Sequence, residues 1–519
     1  MAPLRTHLAR LPHELGVTTI ARAPRDVHLI FCTRFLRMFA YGGVALILAL
    51  HFAALGVTDA RIGLFMTLTL LGDVAVSLLL TLVADGLGRR RVLLLGCVSM
   101  AFAGAVFGVA ANYWVLLLAA VVGVISVSGN EIGPFRAVEE STLAGLVGEE
   151  GRSDVFAWYV VVGTVGTAAG LTSAGWVVEG LKRRDGWEEI DAFRVVFWLY
   201  GAIGLVKAAL TFALSERCEV HAQAAKATAV EEAEDSERDE FLTPESADDD
   251  GAQRPARSRP PPPPPPKKAK MGFAQLSVET RWTLLKLCAL FAFDSLASGM
   301  VPYSLINFYM DRKFHMPKST LGSIMSVTWL TSSVGNIFSS VLSKRIGPIK
   351  TMVSTHLPSA IFLMLLPAPN VLWLTIVFLV GRATLASMDQ APRSTFLSAI
   401  VQPEERTAVM GIVNVVKTLS QSGGPIITGV LAGEGRFWIA FVVAGAMKAS
   451  YDIGLLTIFV KTDKAARRGP PEGAIQLNQH DSDDEGMENL ADEFELATDD
   501  EGSASGEDAV GKRRDSLRA

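Results

Sequence analysis

Few residues in this chain combine a reactive type with a telling position. Arg34 and Arg37 stand three apart inside a long apolar run, which puts both on one helix face. Asp73 lies at the middle of the next run, and Glu131, beside Asn130, closes another. In the second part of the chain Asp294 is central to its run, and Arg382 and Asp389 share one face of theirs, two helical turns apart. Lys207, Lys417, Lys448 and Asp452 complete the set. A charge facing hydrocarbon is expensive, so such groups turn toward a cavity or a partner and mark substrate or ion paths. An acid beside an arginine can alternate between an ion pair and a protonated carboxyl. That chemistry is substrate binding and proton transfer; the plain alternative is a structural bridge between helices.

The elements that must carry these groups are long and apolar. The chain has 519 residues, 50% of them hydrophobic and 19% charged, with a mean hydropathy of +0.33. Polar residues gather in 1–26, 215–280 and 461–519, which leaves the rest more apolar still. A spanning helix needs about 20 apolar residues, so the remainder supplies roughly twelve. We place them at 28–54, 62–84, 92–111, 113–133, 153–179, 193–214, 284–309, 318–342, 349–367, 371–391, 407–431 and 436–460 (spans 1 to 12 below). The expected fold is an all-α membrane protein: 1–27 a cytoplasmic N-terminal segment, 28–214 and 284–460 two six-helix bundles, 215–283 a disordered loop and 461–519 a disordered acidic tail. The first span follows a polar segment and contains two arginines, unlike a cleaved signal.

The runs are too long and pure for a soluble globular protein, and Cys32, Cys97 and Cys288 sit inside them as small hydrophobes rather than a disulfide framework. The net charge is -5. Acids crowd into 231–250 and the tail, so the apolar body is basic. Its bases are scattered at helix ends, which argues against nucleic-acid binding and suits a basic inner membrane rim. The proline run Pro260–Pro266 between basic residues reads as a stiff linker rather than a lipid-binding patch. An even number of spans puts both termini on one side. Lysine and arginine counts favour the cytoplasm narrowly, against Lys182, Arg183 and Arg184 on the other side, and the plasma membrane is expected before an internal one.

The two halves repeat. Gly63, Met66 and Thr69 in span 2 match Gly322, Met325 and Thr328 in span 8. Gly123, Glu131 and Pro134 match Gly381, Asp389 and Pro392. Glu149, Glu150, Arg152 and Gly170 parallel Glu404, Glu405, Arg406 and Gly424. Duplicated bundles are a common build of secondary transporters, with the substrate between the halves. Between spans 2 and 3, Asp85-Gly86-Leu87-Gly88-Arg89-Arg90-Arg91 resembles the loop signature of the major facilitator superfamily, roughly G-x-x-x-D-R-x-G-R-R. Thr81 stands where the leading glycine belongs and Gly86 where a base does; the second-half counterpart, Lys344 to Pro348, is degenerate. The resemblance covers about residues 28–460. It implies two pseudo-symmetric six-helix bundles, a gating latch at Asp85, Gly88, Arg89, Arg90 and Arg136, and a central path lined by spans 1, 4, 7 and 10. From the residues alone, Gly86 and Gly88 permit a tight turn, and Asp85 can cap a helix or pair with a base.

By depth, Arg34 and Arg37 should meet Glu131, and Asp294 should meet Arg382. Lys207 and Lys448 should snorkel, and His51 should lie at the interface. Gly163, Gly166, Gly170 and Gly175 in span 5 permit close helix packing, without the G-P-x-x-G-G form of drug–proton antiporters. The function expected is a secondary active transporter moving a small solute or ion by alternating access, coupled to protons, as a monomer in the bilayer. It would use no cofactor or metal and perform no enzymatic chemistry. The alternative is a transporter-like receptor signalling through its tails.

Overall fold

The computed structural model describes residues 17–123, 125, 134–219, 278–389, 392–393, 396 and 406–467, and these residues form no strand. After a short helix at Val17–Ala21 come α1 (Arg25–Ala54), α2 (Asp59–Leu87), α3 (Arg89–Val109), α4 (Tyr113–Val122), α5 (Pro134–Leu146), α6 (Glu149–Lys182) and α7 (Glu189–Phe212). The second half holds α8 (Val278–Met300), α9 (Tyr303–Phe314), α10 (Lys318–Ile346), α11 (Pro348–Leu365), α12 (Leu372–Ser387), α13 (Arg406–Ser422), α14 (Gly424–Gly433) and α15 (Phe437–Arg467). Among the described residues six helices are long and apolar enough to cross a membrane, seven if the bent pair α8–α9 is one span. The others are shorter, more polar or interrupted; most fall on spans expected from the sequence, but α5 occupies 134–146, which was expected to be a loop between spans 4 and 5. The middle segment 220–277 and the tail beyond 467 lie outside the described residues. Lys461 onward is a separate unit.

Interruptions follow backbone chemistry. Pro302 caps α9, and the chain bends by 41° between α8 and α9, because proline cannot donate the next helical bond. Gly423 and Pro425 divide span 11 into α13 and α14 in the same way. Gly88, with φ +88°, turns α2 into α3, and Gly347, with φ +94°, turns α10 into α11. The degenerate second-half loop thus keeps the one residue whose backbone only glycine adopts readily. Gly86, expected in the turn, is still helical.

Without water to drive helices together, packing in a bilayer relies on close approach of small residues. The repeated glycines supply it at matching places. Gly170 of α6 lies against the Phe39 carbonyl of α1, and Gly424 lies against Gly299 and Met300 of α8. Gly63 of α2 abuts Pro425 and Gly429 of α14, and Gly322 of α10 abuts Leu171 of α6. The first pair holds each bundle together; the second holds the two bundles to each other. Gly163 and Gly166 likewise admit Arg34 and Phe35 of α1, and Gly175 admits Lys318 of α10.

Call the end where α1 begins the proximal face and the opposite end the distal face. Among the described residues, the hydrogen bonds and ion pairs between halves all lie in the distal half. Arg312 grips Asp59 with two bonds of 2.6 and 2.9 Å. Lys318 donates its backbone N–H to Glu179 at 3.3 Å and its ammonium lies 3.4 Å from Glu189. Asn307 donates to the Ala45 carbonyl at 2.9 Å, and the Ile426 N–H to Thr67 at 3.2 Å.

Candidate functional site

Each bundle carries ionisable residues inside its own ring of helices. In the second bundle Asp294 of α8 is the hub. Lys448 of α15 donates to its Oδ1 at 2.7 Å and to Ser298 at 2.7 Å. Arg393, one turn past Asp389, reaches Asp294 Oδ2 at 3.0 Å and also pairs with Asp389. His356 of α11 stands between two acids: Nδ1 lies 2.9 and 3.0 Å from the Asp452 carboxylate oxygens, and Nε2 lies 3.7 Å from Asp294. Phe291 and Tyr451 wall the cluster. The Arg393 guanidinium lies 5.3 and 5.5 Å from their ring centres, and the Lys417 ammonium 5.8 Å from Phe291. Asp294, Asp452, Lys448 and His356 are all buried. Asp294, Asp389 and Asp452 thus stand among Arg393, Lys417, Lys448 and His356. Buried charges persist only when compensated in this way.

In the first bundle Arg37 of α1 donates to Glu139 of α5 at 2.6 Å and to the Tyr159 hydroxyl at 3.3 Å. Tyr159 of α6 donates in turn to Glu139 at 2.5 Å. The Arg34 guanidinium lies over the Tyr159 ring, 4.4 Å from its centre. Beside this trio is a pocket lined from α1, α3, α5 and α7 by Arg37, Glu139, Lys207, Tyr41, Met100 and Phe135 among others. Around the charge cluster of the second bundle, α8, α11, α15 and the segment after α12 that carries Arg393 are the counterparts of α1, α3, α7 and α5 in the repeat.

The two bundles with matched glycines and matched turns are the geometry of a known transporter family. A model described as Major Facilitator Superfamily matches residues 30–293 and 287–481. The chain belongs to this superfamily. It is 34% identical to an uncharacterized membrane protein of Saccharomyces cerevisiae over 88% of the chain and 98% of that protein. An uncharacterized transporter of Buchnera aphidicola is 32% identical over 23% of the chain and 29% of that protein. Among solved structures, the nucleoside transporter NupG overlays with a TM-score of 0.60 at 14% identity, covering 84% of this chain and 99% of that one. The xylose transporter XylE from E. coli overlays at 0.60 with 12% identity, covering 84% and 98%. The protein is therefore a multi-pass membrane protein of a transporter family.

Within this major facilitator frame the residues singled out from sequence fare unequally. Asp294 is buried at mid-depth as expected, but its partners are Lys448, Arg393 and His356, not Arg382. Arg382 has no ion pair among the described residues; its neighbour is the Tyr303 hydroxyl. Helix rotation decides this: α15 presents Lys448 to α8 where α12 does not present Arg382. Lys448 is thus an interior partner rather than a snorkelling lysine. Asp389 pairs four residues onward with Arg393. Arg37 reaches Glu139; the expected partner Glu131 lies outside the described residues. Asp73 is buried near Tyr200, and its Oδ1 has no hydrogen bond among the described residues. His51 is fully buried, not interfacial, with its ring 5.0 Å from Phe197 and near Phe107 and Phe193.

At the loop signature, the Arg89 and Arg90 backbone N–H groups donate to Glu219 at 2.8 and 3.2 Å. An acid at a helix N-terminus satisfies unpaired donors and favours the dipole. A Cβ on Gly88 would sit 2.9 Å from that carboxylate, so glycine is needed for space as well as for φ. Arg89 reaches the Ser141 carbonyl and Arg90 the Phe212 carbonyl, while Arg136 pairs with Glu140 in its own helix. The described contacts of this loop stay within the first bundle. The Asp85 side chain is outside the described residues.

Sequence reasoning missed Glu139, Tyr159, His356 and Arg393 as site residues. One had a readable signal: His356 stands inside span 9, two residues before Pro358.

Proposed function

We propose that the protein is a secondary active transporter that carries a small solute by alternating access and couples it to protons at Asp294, with its termini in the cytoplasm. The observation that supports this best is the placement of the inter-half bonds: all those described lie distally, while the buried charges stand at mid-depth and proximally. Such a molecule is closed on the distal side. To open there, Gly63 must part from Gly429 and Gly175 from Lys318, and the Arg312–Asp59 pair must break. These contacts are separable because they are van der Waals approaches and exposed or half-exposed ion pairs.

Asp294 is the natural coupling group. Protonated, it loses its attraction for Lys448 and Arg393, which join α8 to α15 and to the segment after α12. His356 lies between the Asp294 and Asp452 carboxylates and can pass a proton from one to the other as its ring exchanges donor and acceptor nitrogens. Proton binding therefore changes the contacts among the helices that line one bundle, which is what coupling requires. The test is the purified full-length protein in proteoliposomes loaded with a pH-sensitive dye and challenged with a solute panel. Solute-dependent proton entry is expected from the wild type and absent from Asp294→Asn. Solute flux indifferent to the pH gradient, or normal coupling in the variant, would overturn the reading.

A further inference from the structure

One basic group of the second bundle takes no part in the network around Asp294. Arg382 stands half-buried at mid-depth on α12. Its guanidinium makes no hydrogen bond or ion pair among the described residues, and its neighbour is the Tyr303 hydroxyl. Asp294, Asp389 and Asp452 of the same bundle are engaged by Lys448, Arg393 and His356. A charge at this depth is costly and marks a substrate or ion path. Tyr303 opens α9, just past the break at Pro302. Its ring lies against Trp329 of α10, with centroids 5.1 Å apart and planes 35° from parallel. Trp329 packs in turn on Met38, Tyr41 and Ala45 of α1. Arg382 therefore adjoins, through these rings, the seam between the two halves rather than lipid. Both rings are half-buried, so their faces are not fully covered. One turn further along α9, Asn307 donates to the Ala45 carbonyl at 2.9 Å and closes the seam on the distal side of the rings.

We infer that Arg382, Tyr303 and Trp329 bind an aromatic organic anion between the halves: a carboxylate, or a group of the same charge, on the Arg382 guanidinium, with its ring against Tyr303 and Trp329. A guanidinium holds a carboxylate through two parallel charge-assisted bonds. Aromatic walls gain offset or edge-to-face contacts from a bound ring. A neutral solute of the same shape would offer the guanidinium no charge. A small inorganic anion would leave the rings uncovered. The rings alone would attract a cation, but Arg382 repels it. Aromatic walls with one placed charge are the common form of a ligand site. The start of α9 at Tyr303 lies at the same place, and a helix N-terminus favours negative charge. The inference rests on the transporter reading and names its substrate class; it is tested by binding rather than flux, so that either can fail alone.

The experiment is isothermal titration of the full-length protein in phosphatidylcholine nanodiscs, against empty discs, with benzoate, 1-naphthoate and cyclohexanecarboxylate, and with benzamide and benzylamine as neutral and cationic counterparts. Saturable binding of benzoate and 1-naphthoate is expected, with none from the amide or the amine. Cyclohexanecarboxylate, with the charge but no aromatic ring, should bind about threefold or more weaker than benzoate. Arg382→Gln should weaken 1-naphthoate by about tenfold or more, the scale of a charge-assisted hydrogen bond. It should leave the melting temperature unchanged or higher, since it removes an intramembrane charge. Trp329→Leu should weaken 1-naphthoate by about three- to tenfold while cyclohexanecarboxylate binding persists, which shows the variant folded. No saturable binding of either aromatic acid, equal binding of benzamide, or cyclohexanecarboxylate as tight as benzoate would each overturn the inference. So would unchanged affinity in Arg382→Gln, or a lowered melting temperature, which would place the arginine in a structural pair.

Discussion

The same four positions of the repeat are used in opposite ways. In the second bundle they hold a buried network of acids and bases around Asp294. In the first they hold one bridged pair, Arg37–Glu139, shared with the Tyr159 hydroxyl, beside a pocket. A duplicated scaffold thus keeps its glycines and its turns, which set how helices approach, and lets its interior polar groups diverge. The division gives one bundle a set of mutually dependent ion pairs, and the other a smaller bridged trio beside a pocket.

The comparison breaks most readily at Asp294. Asp294→Asn leaves Lys448 and Arg393 without the acid they share, and removing one partner of a buried pair costs about 3–5 kcal/mol. Denaturant or thermal unfolding in detergent should show that loss. Glu139→Gln should cost less, on the order of 1–2 kcal/mol, because the amide still accepts from Tyr159 and Arg37 keeps the Tyr159 hydroxyl. Equal losses from the two would erase the distinction between a network and a bridged pair.

A second contrast, between the closed distal half and the proximal half, is sharpened by glycine. A Cβ on Gly429 would lie 2.5 Å from the Asp59 carbonyl and 2.9 Å from Gly63, but one on Gly433 only 4.0 Å from Asp59. Gly429→Val should hold the distal side apart and raise thiol labelling of a cysteine placed at the distal ends of α2 and α14 by about tenfold. Gly433→Val should leave it unchanged. Arg312→Ala removes a pair whose arginine is exposed, worth about 0.5–1 kcal/mol, so the same labelling should rise only a few-fold.

The smallest effect concerns the proximal rim. Burial, reinforced by the nearby Asp26 carboxylate, pushes the Cys218 thiol up to about 12. Ser215 holds Asp26 there through bonds of 3.0 and 2.5 Å. A raised thiol keeps its proton at pH 8, so iodoacetamide should leave Cys218 unmodified in the native protein and label it on unfolding. Rapid native labelling would show that the ends of α1 and α7 are not held together.

The sequence by itself determined the apolar helices, their duplication and the glycine contacts. These follow from local properties: hydrocarbon demands a continuous apolar helix, and a helix can approach another closely only where a side chain is missing. Gly88 was legible for a related reason, since a positive φ is a property of one residue, whereas Gly347 went unread inside the degenerate second-half loop and Gly86 proved helical. Which acid meets which base was decided by tertiary structure alone. Asp294 and Arg382 agree in depth, but ion pairing also needs adjacent helices turned toward each other, and it is α15 and the Arg393 segment that turn to α8. Glu139 and Arg393 escaped notice because each lies beyond the proline that ends its apolar run, where charges read as rim. Only the packed bundle brings them inside.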